Sequence, residues 1–251
     1  MKAVRLVDFN DLRVEDLPDP EPGPHDVLVR IEAAGICGTD VDILRGNHLA
    51  YQAGLWRLPI TPGHEWAGAV VQTGCEVTRF RPGDLVTGET GLGCLRCKYC
   101  LTGHHNLCMD LVETGIFGHD GAMRQLHVHP EVFTYSVEGL TAEQAALIEP
   151  ASVAVHACKR VGLSVPDHVA VLGCGPIGLL AVQAARVFGA RYVLATSRSA
   201  PKLALAEELG ADRAVNVAEE NLSAVVDEVT GGEGFEVVLE CSGSIQALEQ
   251  A

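Results

Sequence analysis

Val169-Ala-Val-Leu-Gly-Cys-Gly-Pro-Ile-Gly178 decides the fold of the second half of this chain. Four apolar residues run straight into a G-x-G-x-x-G pattern, and an Ala- and Leu-rich stretch follows to Phe188. The glycine pattern alone says little. Between a strand and a helix it forms a tight turn, where a pyrophosphate can approach the backbone and rest on a helix N-terminus. Gly173, Gly175, Pro176, Ile177 and Gly178 are the expected contacts for a dinucleotide.

The pattern continues downstream. Residues 192–195, 214–216 and 236–239 read as short apolar strands, and residues 200–209 and 221–229 as helices. Strands alternating with helices predict a parallel sheet covered on both faces. The second strand of such a fold usually ends in an acid that holds the ribose 2′-hydroxyl of NAD. Here it reads Ala195-Thr-Ser-Arg-Ser199, with Ser197 in the place of the acid and Arg198 beside it. A carboxylate would repel a 2′-phosphate, whereas a hydroxyl and a guanidinium bind one, so NADP is expected over NAD. Lys202 reads as an ordinary solvated helix residue, and Cys174 as small and buried.

Before Pro150 the texture differs. Residues 27–32, 67–72 and 85–87 are strand candidates separated by Pro- and Gly-rich turns, as in a barrel-like β domain. Thr141 and Glu143 mark a helix start. Two domains are expected, residues 1–150 and 151–251. Of 251 residues, 47% are apolar and 20% charged, and the net charge is -15. That balance argues against nucleic acid or an anionic membrane as partner. No apolar run has the length of a membrane span, and the opening residues read as a strand and not as a signal peptide. Clustered cysteines in such a chain favour metal over disulfides, and a cytoplasmic location is expected.

Four of the nine cysteines lie within fifteen residues: Cys94, Cys97, Cys100 and Cys108. Four thiolates close a tetrahedral zinc shell and leave no position for a substrate, so this run predicts a structural staple. A second set is chemically different. Cys37, His64, Glu65 and Glu149 supply a thiolate, an imidazole and carboxylates, which suit an open zinc site with one position for water or substrate. Spacing alone does not join residues so far apart. His104 and His105 read as surface loop, and His127 and His129, alternating on a strand, as exposed. His156 is left between packed and cofactor-facing. Cys75, Cys158 and Cys241 lack metal spacing.

Taken in order, Cys37-Gly-Thr39-Asp40, Gly63-His64-Glu65, Gly68, Gly74, Val77, Gly83-Asp84, the four-cysteine run and the glycine turn resemble the zinc-containing medium-chain alcohol dehydrogenases. Glu149-Pro150-Ala-Ser152-Val resembles their polyol (sorbitol) and threonine dehydrogenase branch most. The resemblance covers nearly the whole chain. It implies an α/β protein: a GroES-like catalytic domain beside a Rossmann domain, with one catalytic and one structural zinc. It places catalytic zinc on Cys37 and His64 with Glu65 or Glu149 as third ligand, makes Thr39 the proton acceptor, and sets Asp40 to orient His64. The implied reaction transfers a hydride between a secondary alcohol or carbonyl of a polar small molecule (polyol, sugar or amino alcohol) and NADP(H). A homo-oligomer is implied for the full-length protein.

Family members often carry His where this chain has Asp42, and they continue well past Leu239-Glu-Cys241-Ser-Gly243. The Rossmann domain therefore reads as truncated, and the stretch by itself is expected to be poorly active. Three alternatives stand beside the main reading. A zinc-free reductase of the same superfamily would lack both metal sets. An iron–sulfur module would share the start of the cysteine run, but its fourth ligand usually follows after three residues, where this one follows after seven. A catalytically inactive cofactor-binding or scaffold form is the third.

Overall fold

Apolar residues spaced along the first 34 positions build a hairpin and a long strand. The computed structural model describes residues 1–165 and 167–250. β1 (Lys2–Asp8) and β2 (Asp11–Asp16) pair antiparallel, with Val4 opposite Val14. β3 (Asp26–Ala34) leads into α1 (Gly38–Arg45) and the short α2 (Leu49–Gln52). There follow β4 (Trp66–Thr73), β5 (Leu85–Gly88), β6 (Gly91–Leu92), α3 (Lys98–Leu101), β7 (Val112–Thr114), β8 (Gly118–His119), β9 (Leu126–Pro130) and β10 (Thr134–Ser136). Strands β10-β5-β4-β3-β9 form an antiparallel sheet around Val27, Val29, Trp66, Val70 and Val86. Strands β6-β7-β8 form a small second sheet beside the cysteine run. These elements belong to one compact unit, Met1–Glu149; the other is Pro150–Ala251.

The register of β3 against β4 positions the site. Ala34 lies opposite Trp66, so the residues after β3 and those before β4 emerge at one end of the sheet. There the Gly35 amide donates to the Glu65 carbonyl at 2.6 Å. Cys37 and His64 are thus neighbours through strand pairing, although far apart in sequence.

β9 overturns one expectation. His127 and His129 are fully buried. In the pairing of β9 with β3 they stand opposite Val29 and Val27, which are buried too. Alternation along a strand defines two faces but does not say which one points inward, and here the histidines take the core face.

A helix start at Thr141 is present as α4 (Ala142–Ala146). The Thr141 side chain accepts from the Gln144 amide, and the Gln144 side chain returns the contact. A second helix, α5 (Ile148–Arg160), follows at once, with Pro150 in its first turn, where a missing N–H costs nothing.

In the second unit β11 (His168–Leu172), α6 (Pro176–Val187), β12 (Tyr192–Ser197), α7 (Ala200–Glu208), β13 (Arg213–Asn216), α8 (Leu222–Thr230), β14 (Val237–Glu240) and α9 (Ile245–Gln250) alternate. The strands are all parallel, in the order β13-β12-β11-β14. Val169 and Val171 pack into one core with α6 and α7 residues, while Ala170 and Leu172 pack into another with Leu222 and Ala247. Both faces of β11 are therefore covered, which explains its unbroken apolar run.

Candidate functional site

Three groups of metal-capable side chains occur among the described residues. In the first, the sulfurs of Cys94, Cys97, Cys100 and Cys108 lie within 4.8 Å of one another. Cys97 Sγ is 3.6 Å and Cys94 Sγ 4.0 Å from Cys100 Sγ. Ligands at zinc–sulfur distance in a tetrahedron stand about 3.8 Å apart, so the run already has the edges of a zinc shell. The Cys94 amide donates to Cys108 Sγ at 3.4 Å, a contact that favours a thiolate. Backbone N–H groups of Arg96 and Cys97 draw the Cys94 thiol down to about 6, while burial pushes Cys100 up to about 12. The donors fit zinc, with every tetrahedral position taken by sulfur.

The second group is Cys37, His64 and Glu65, one ligand atom from each within 4.8 Å of the others. Cys37 caps α1 at its N-terminus, and its amide donates to Asp40 Oδ2 at 2.8 Å. Asp40 Oδ1 accepts from the Gly63 amide at 3.3 Å and stands 3.9 Å from His64 Nδ1. His64 Nδ1 is buried and has no hydrogen-bond partner. Burial works against an imidazolium at His64, but contact with Cys37 and the charges of Asp40 and Glu149 outweigh it and push the group up to about 9. Burial raises the Glu65 carboxyl, and Glu149 adds to the rise. A thiolate, an imidazole and a carboxylate converging in a half-buried site, with the far nitrogen of the imidazole turned to an aspartate, suit a zinc ion with one position open.

Of the other expected residues, Thr39 lies on α1 with its hydroxyl 3.7 Å from Cys37 Sγ. Glu149 stands outside the close group; its Oε1 accepts from the Thr90 hydroxyl at 3.2 Å. Asp42 and His156 are exposed. His105 is half-buried and pairs with Glu89 at 2.7 Å. Two residues that spacing could not reveal shape the site: Thr90, which holds Glu149, and Gly35, at which a Cβ would stand 2.2 Å from Glu65 Oε2.

The third group, His119, His127 and His129, meets the same distance bound but is chemically different. Arg124 Nη2 donates to His127 Nδ1 at 2.9 Å, because a guanidinium has no lone pair to offer. His127 must then carry its proton on Nε2 and give it to His129 Nδ1, 3.3 Å away. Trp66 covers both rings edge-on at 5.0 and 5.1 Å. A ligating imidazole does the reverse: it offers a lone pair to the metal and donates its other N–H to an acceptor. Arg5 and Arg124 share the single carboxylate of Asp120, at 2.8 and 3.9 Å, so the surroundings carry positive charge. Arg124, His127 and His129 form a hydrogen-bonded chain whose direction Arg124 sets, and His119 packs against it by ring contacts.

In the second unit a cavity of about 730 Å³ is lined by Gly173, Gly175, Thr196, Ser197, Arg198 and Lys202, among others. Gly173 has φ +102°, which favours glycine, and its amide donates to the Thr196 carbonyl at 3.0 Å. A Cβ at Gly178 would sit 1.8 Å from the Gly173 carbonyl oxygen, so this third glycine is needed for packing of helix on turn. Pro176 and Ile177 form the first turn of α6, whose N-terminus opens beside the cavity. Ser197 closes β12, two residues beyond the expected strand end, and its Oγ accepts from the Ser199 amide at 3.2 Å. Arg198 and Lys202 are exposed on the rim. Cys174 is buried and its thiol contacts the Thr196 carbonyl at 3.2 Å.

Comparison with known proteins agrees with this geometry. Residues 23–139 match the model of the alcohol dehydrogenase GroES-like domain, and residues 176–251 that of the zinc-binding dehydrogenases. The sorbitol dehydrogenase of Gallus gallus is 38% identical over 252 residues, covering 99% of this chain and 70% of its own length. The L-threonine 3-dehydrogenase of Anaeromyxobacter dehalogenans is 39% identical over 236 residues, covering 94% and 67%. The crystal structure of a zinc-binding dehydrogenase from Sinorhizobium meliloti 1021 bound to NADP superimposes with a TM-score of 0.88 at 36% identity, covering 98% of this chain and 71% of that one. Among the described residues no helix is long and apolar enough to cross a membrane. These matches displace the iron–sulfur alternative and the zinc-free reductase: the chain is an oxidoreductase of the zinc-binding alcohol dehydrogenase family, in its sorbitol and threonine dehydrogenase branch.

Proposed function

We propose that the protein transfers a hydride between a secondary alcohol of a polar small molecule, such as a polyol, sugar or amino alcohol, and NADP(H). The observation that carries the reading is the convergence of Cys37, His64 and Glu65 in one half-buried group that matches an open zinc site and not a closed one. When bound, zinc supplies Lewis acidity that eases deprotonation of an alcohol, and the nicotinamide supplies the hydride acceptor.

The chain's own residues do the rest. Cys37 and His64 would hold the metal, with Glu65 or Glu149 as the third donor. Asp40, whose Oδ1 lies 3.9 Å from His64 Nδ1, supplies negative charge beside that nitrogen, and the other nitrogen would be the metal donor. The Thr39 hydroxyl, beside Cys37, accepts the proton released by substrate and passes it outward. Asp42 is exposed, so the half-buried Thr39 is the last sheltered group of this relay. The Ser197 hydroxyl already accepts from Ser199 N–H, which leaves its own proton to donate to a 2′-phosphate, while Arg198 supplies charge. Cys94, Cys97, Cys100 and Cys108 staple their lobe with a second zinc and take no part in the chemistry. The reading places the enzyme, as a homo-oligomer, in the cytoplasm, where thiolates stay reduced.

The test is a panel of polyols, sugars and amino alcohols with either cofactor. Cys37→Ser should remove one zinc per chain and lower turnover by about a thousandfold, the scale of losing several kcal/mol of transition-state stabilisation. Calorimetry should find NADP⁺ bound at least about tenfold more tightly than NAD⁺, one charge-assisted contact being worth that much. A preference for NAD⁺ would remove the argument from Ser197 and Arg198.

A further inference from the structure

Two carboxylates, Glu65 inside the close group and Glu149 outside it, are candidates for one coordination position, and each is held by a residue that ligates nothing. Gly35 follows β3 and does not adopt the left-handed conformation, so its backbone makes no demand for glycine. The demand comes from space. A Cβ at Gly35 would stand 2.2 Å from Glu65 Oε2, 3.0 Å from its Cβ and 3.2 Å from its Cδ. The volume that a side chain would fill is occupied by the Glu65 carboxylate, which is thereby turned toward Cys37 and His64. Glu149 is held differently. It lies in the first turn of α5, where a helix N-terminus favours negative charge, and Thr90 donates to its Oε1 at 3.2 Å.

Resting on the reading of Cys37, His64 and Glu65 as a zinc site, we propose that Gly35 selects Glu65 as the carboxylate that completes the group, while Thr90 keeps Glu149 in reserve. Both are positioning residues. Two of the three atoms nearest to a Cβ at position 35, Oε2 and Cδ, lie at the mobile end of the Glu65 side chain; the third, its Cβ, is fixed to the backbone but stands 3.0 Å away, where a small shift relieves the contact. Gly35→Ala therefore leaves the fold standing and swings the carboxylate away from the metal.

The experiment titrates metal-depleted protein with zinc against a chromophoric chelator, and with cobalt, whose visible spectrum reports its ligands. Gly35→Ala should weaken the open site by about tenfold, the lower end of what a supporting residue costs a metal site. Glu65→Gln should do the same, and the double variant should lose no more than Glu65→Gln alone, because both remove one contact. The cobalt spectrum of Gly35→Ala should match that of Glu65→Gln. In the Glu65→Gln background, Thr90→Val should raise affinity by removing one of the contacts that hold Glu149, and Thr90→Ser should not. Wild-type affinity and spectrum in Gly35→Ala, or losses that add to those of Glu65→Gln, overturn the role of Gly35. No gain from Thr90→Val overturns the role of Thr90. If Gly35→Ala does not fold, Gly35→Ala/Glu65→Gly decides: with the carboxylate and the Glu65 Cβ both gone it should fold, and failure refutes the steric argument. Cys37→Ser tests the zinc site itself; if this variant keeps both metals, the reading of the site fails independently of Gly35.

Discussion

Cys37, His64 and Glu65 on one side, and His119, His127 and His129 on the other, are trios of metal-capable side chains in the same unit, each drawn within 4.8 Å. Both meet the same distance bound; the surroundings differ. Asp40 and Glu149 surround His64, which is pushed up to about 9 although burial opposes it. No partner of that kind meets His129, which burial and His119 bring down to about 3. Beside His127 stands Arg124, a cation that donates and cannot accept. A ligating imidazole is favoured where a carboxylate stands near its outer nitrogen, as Asp40 does 3.9 Å from His64 Nδ1. Where imidazoles meet a guanidinium, the same rings form a neutral polar seam under Trp66.

The comparison breaks most visibly in acid. His127 is held low mainly by burial and His129, His129 by burial and His119, and His119 mainly by burial and Arg124. Asp120 and Asp26 act the other way on His119. In the unfolded chain these imidazoles titrate near 6.5. Because the folded values are depressed, the unfolded state binds more protons as pH falls below 6.5, and stability is lost over that window until the folded groups titrate, near 3 for His129. Each imidazole held neutral costs up to about 1.4 kcal/mol per pH unit. Both tryptophans, Trp56 and Trp66, lie in this unit, so denaturant titration followed by their fluorescence reports on it alone. Its stability should fall steeply between pH 6.5 and 5, and less steeply in His127→Leu/His129→Leu. Equal stability at pH 7 and pH 5 would show that the trio is not held neutral.

A smaller effect sharpens the role of Arg124. Arg124→Met leaves His127 Nδ1 buried without its donor and should cost about 1–3 kcal/mol of stability in the same titration. It also removes the cation that bars metal. Metal analysis after dialysis against zinc should then find more zinc per chain in Arg124→Met than in the wild type. Equal zinc in both would mean that something other than Arg124 keeps the trio free of metal.

The two trios also show what was legible in the sequence. The glycine turn, the strands and helices around it and the four-cysteine run follow from local spacing, because each is a short segment folding on itself. Cys37, His64 and Glu65 were found through resemblance; what joins them physically is the β3–β4 register, which no local pattern encodes. β2 carries Asp11, Arg13, Glu15 and Asp16, which hide a strand in polar residues. α1 begins with Gly38-Thr-Asp-Val, poor helix formers, and depends on the cap at Cys37 and Asp40. The inward turn of His127 and His129 was misread because imidazoles usually suit the outer face, and only the pairing with Val27 and Val29 decides otherwise. Gly35 and Thr90 were invisible for a simpler reason: an absent side chain and a single hydroxyl leave no spacing to detect.

The smallest expected effect tests the acceptor side of the comparison. Asp40 binds two backbone amides, those of Cys37 and Gly63, and presents Oδ1 toward His64 Nδ1. Asp40→Asn keeps the shape but removes the charge that distinguishes this trio from the one beside Arg124. Zinc affinity of the open site should fall by about tenfold in chelator competition, as for other groups that orient a ligating imidazole. The four-cysteine site, whose donors Asp40 does not contact, should keep its metal in the same titration. Loss of only one amide contact would lower thermal stability without moving zinc affinity. An unchanged affinity would therefore mean that Asp40 caps α1 and does nothing for the metal, and that the open trio owes its character to Cys37 and the carboxylates alone.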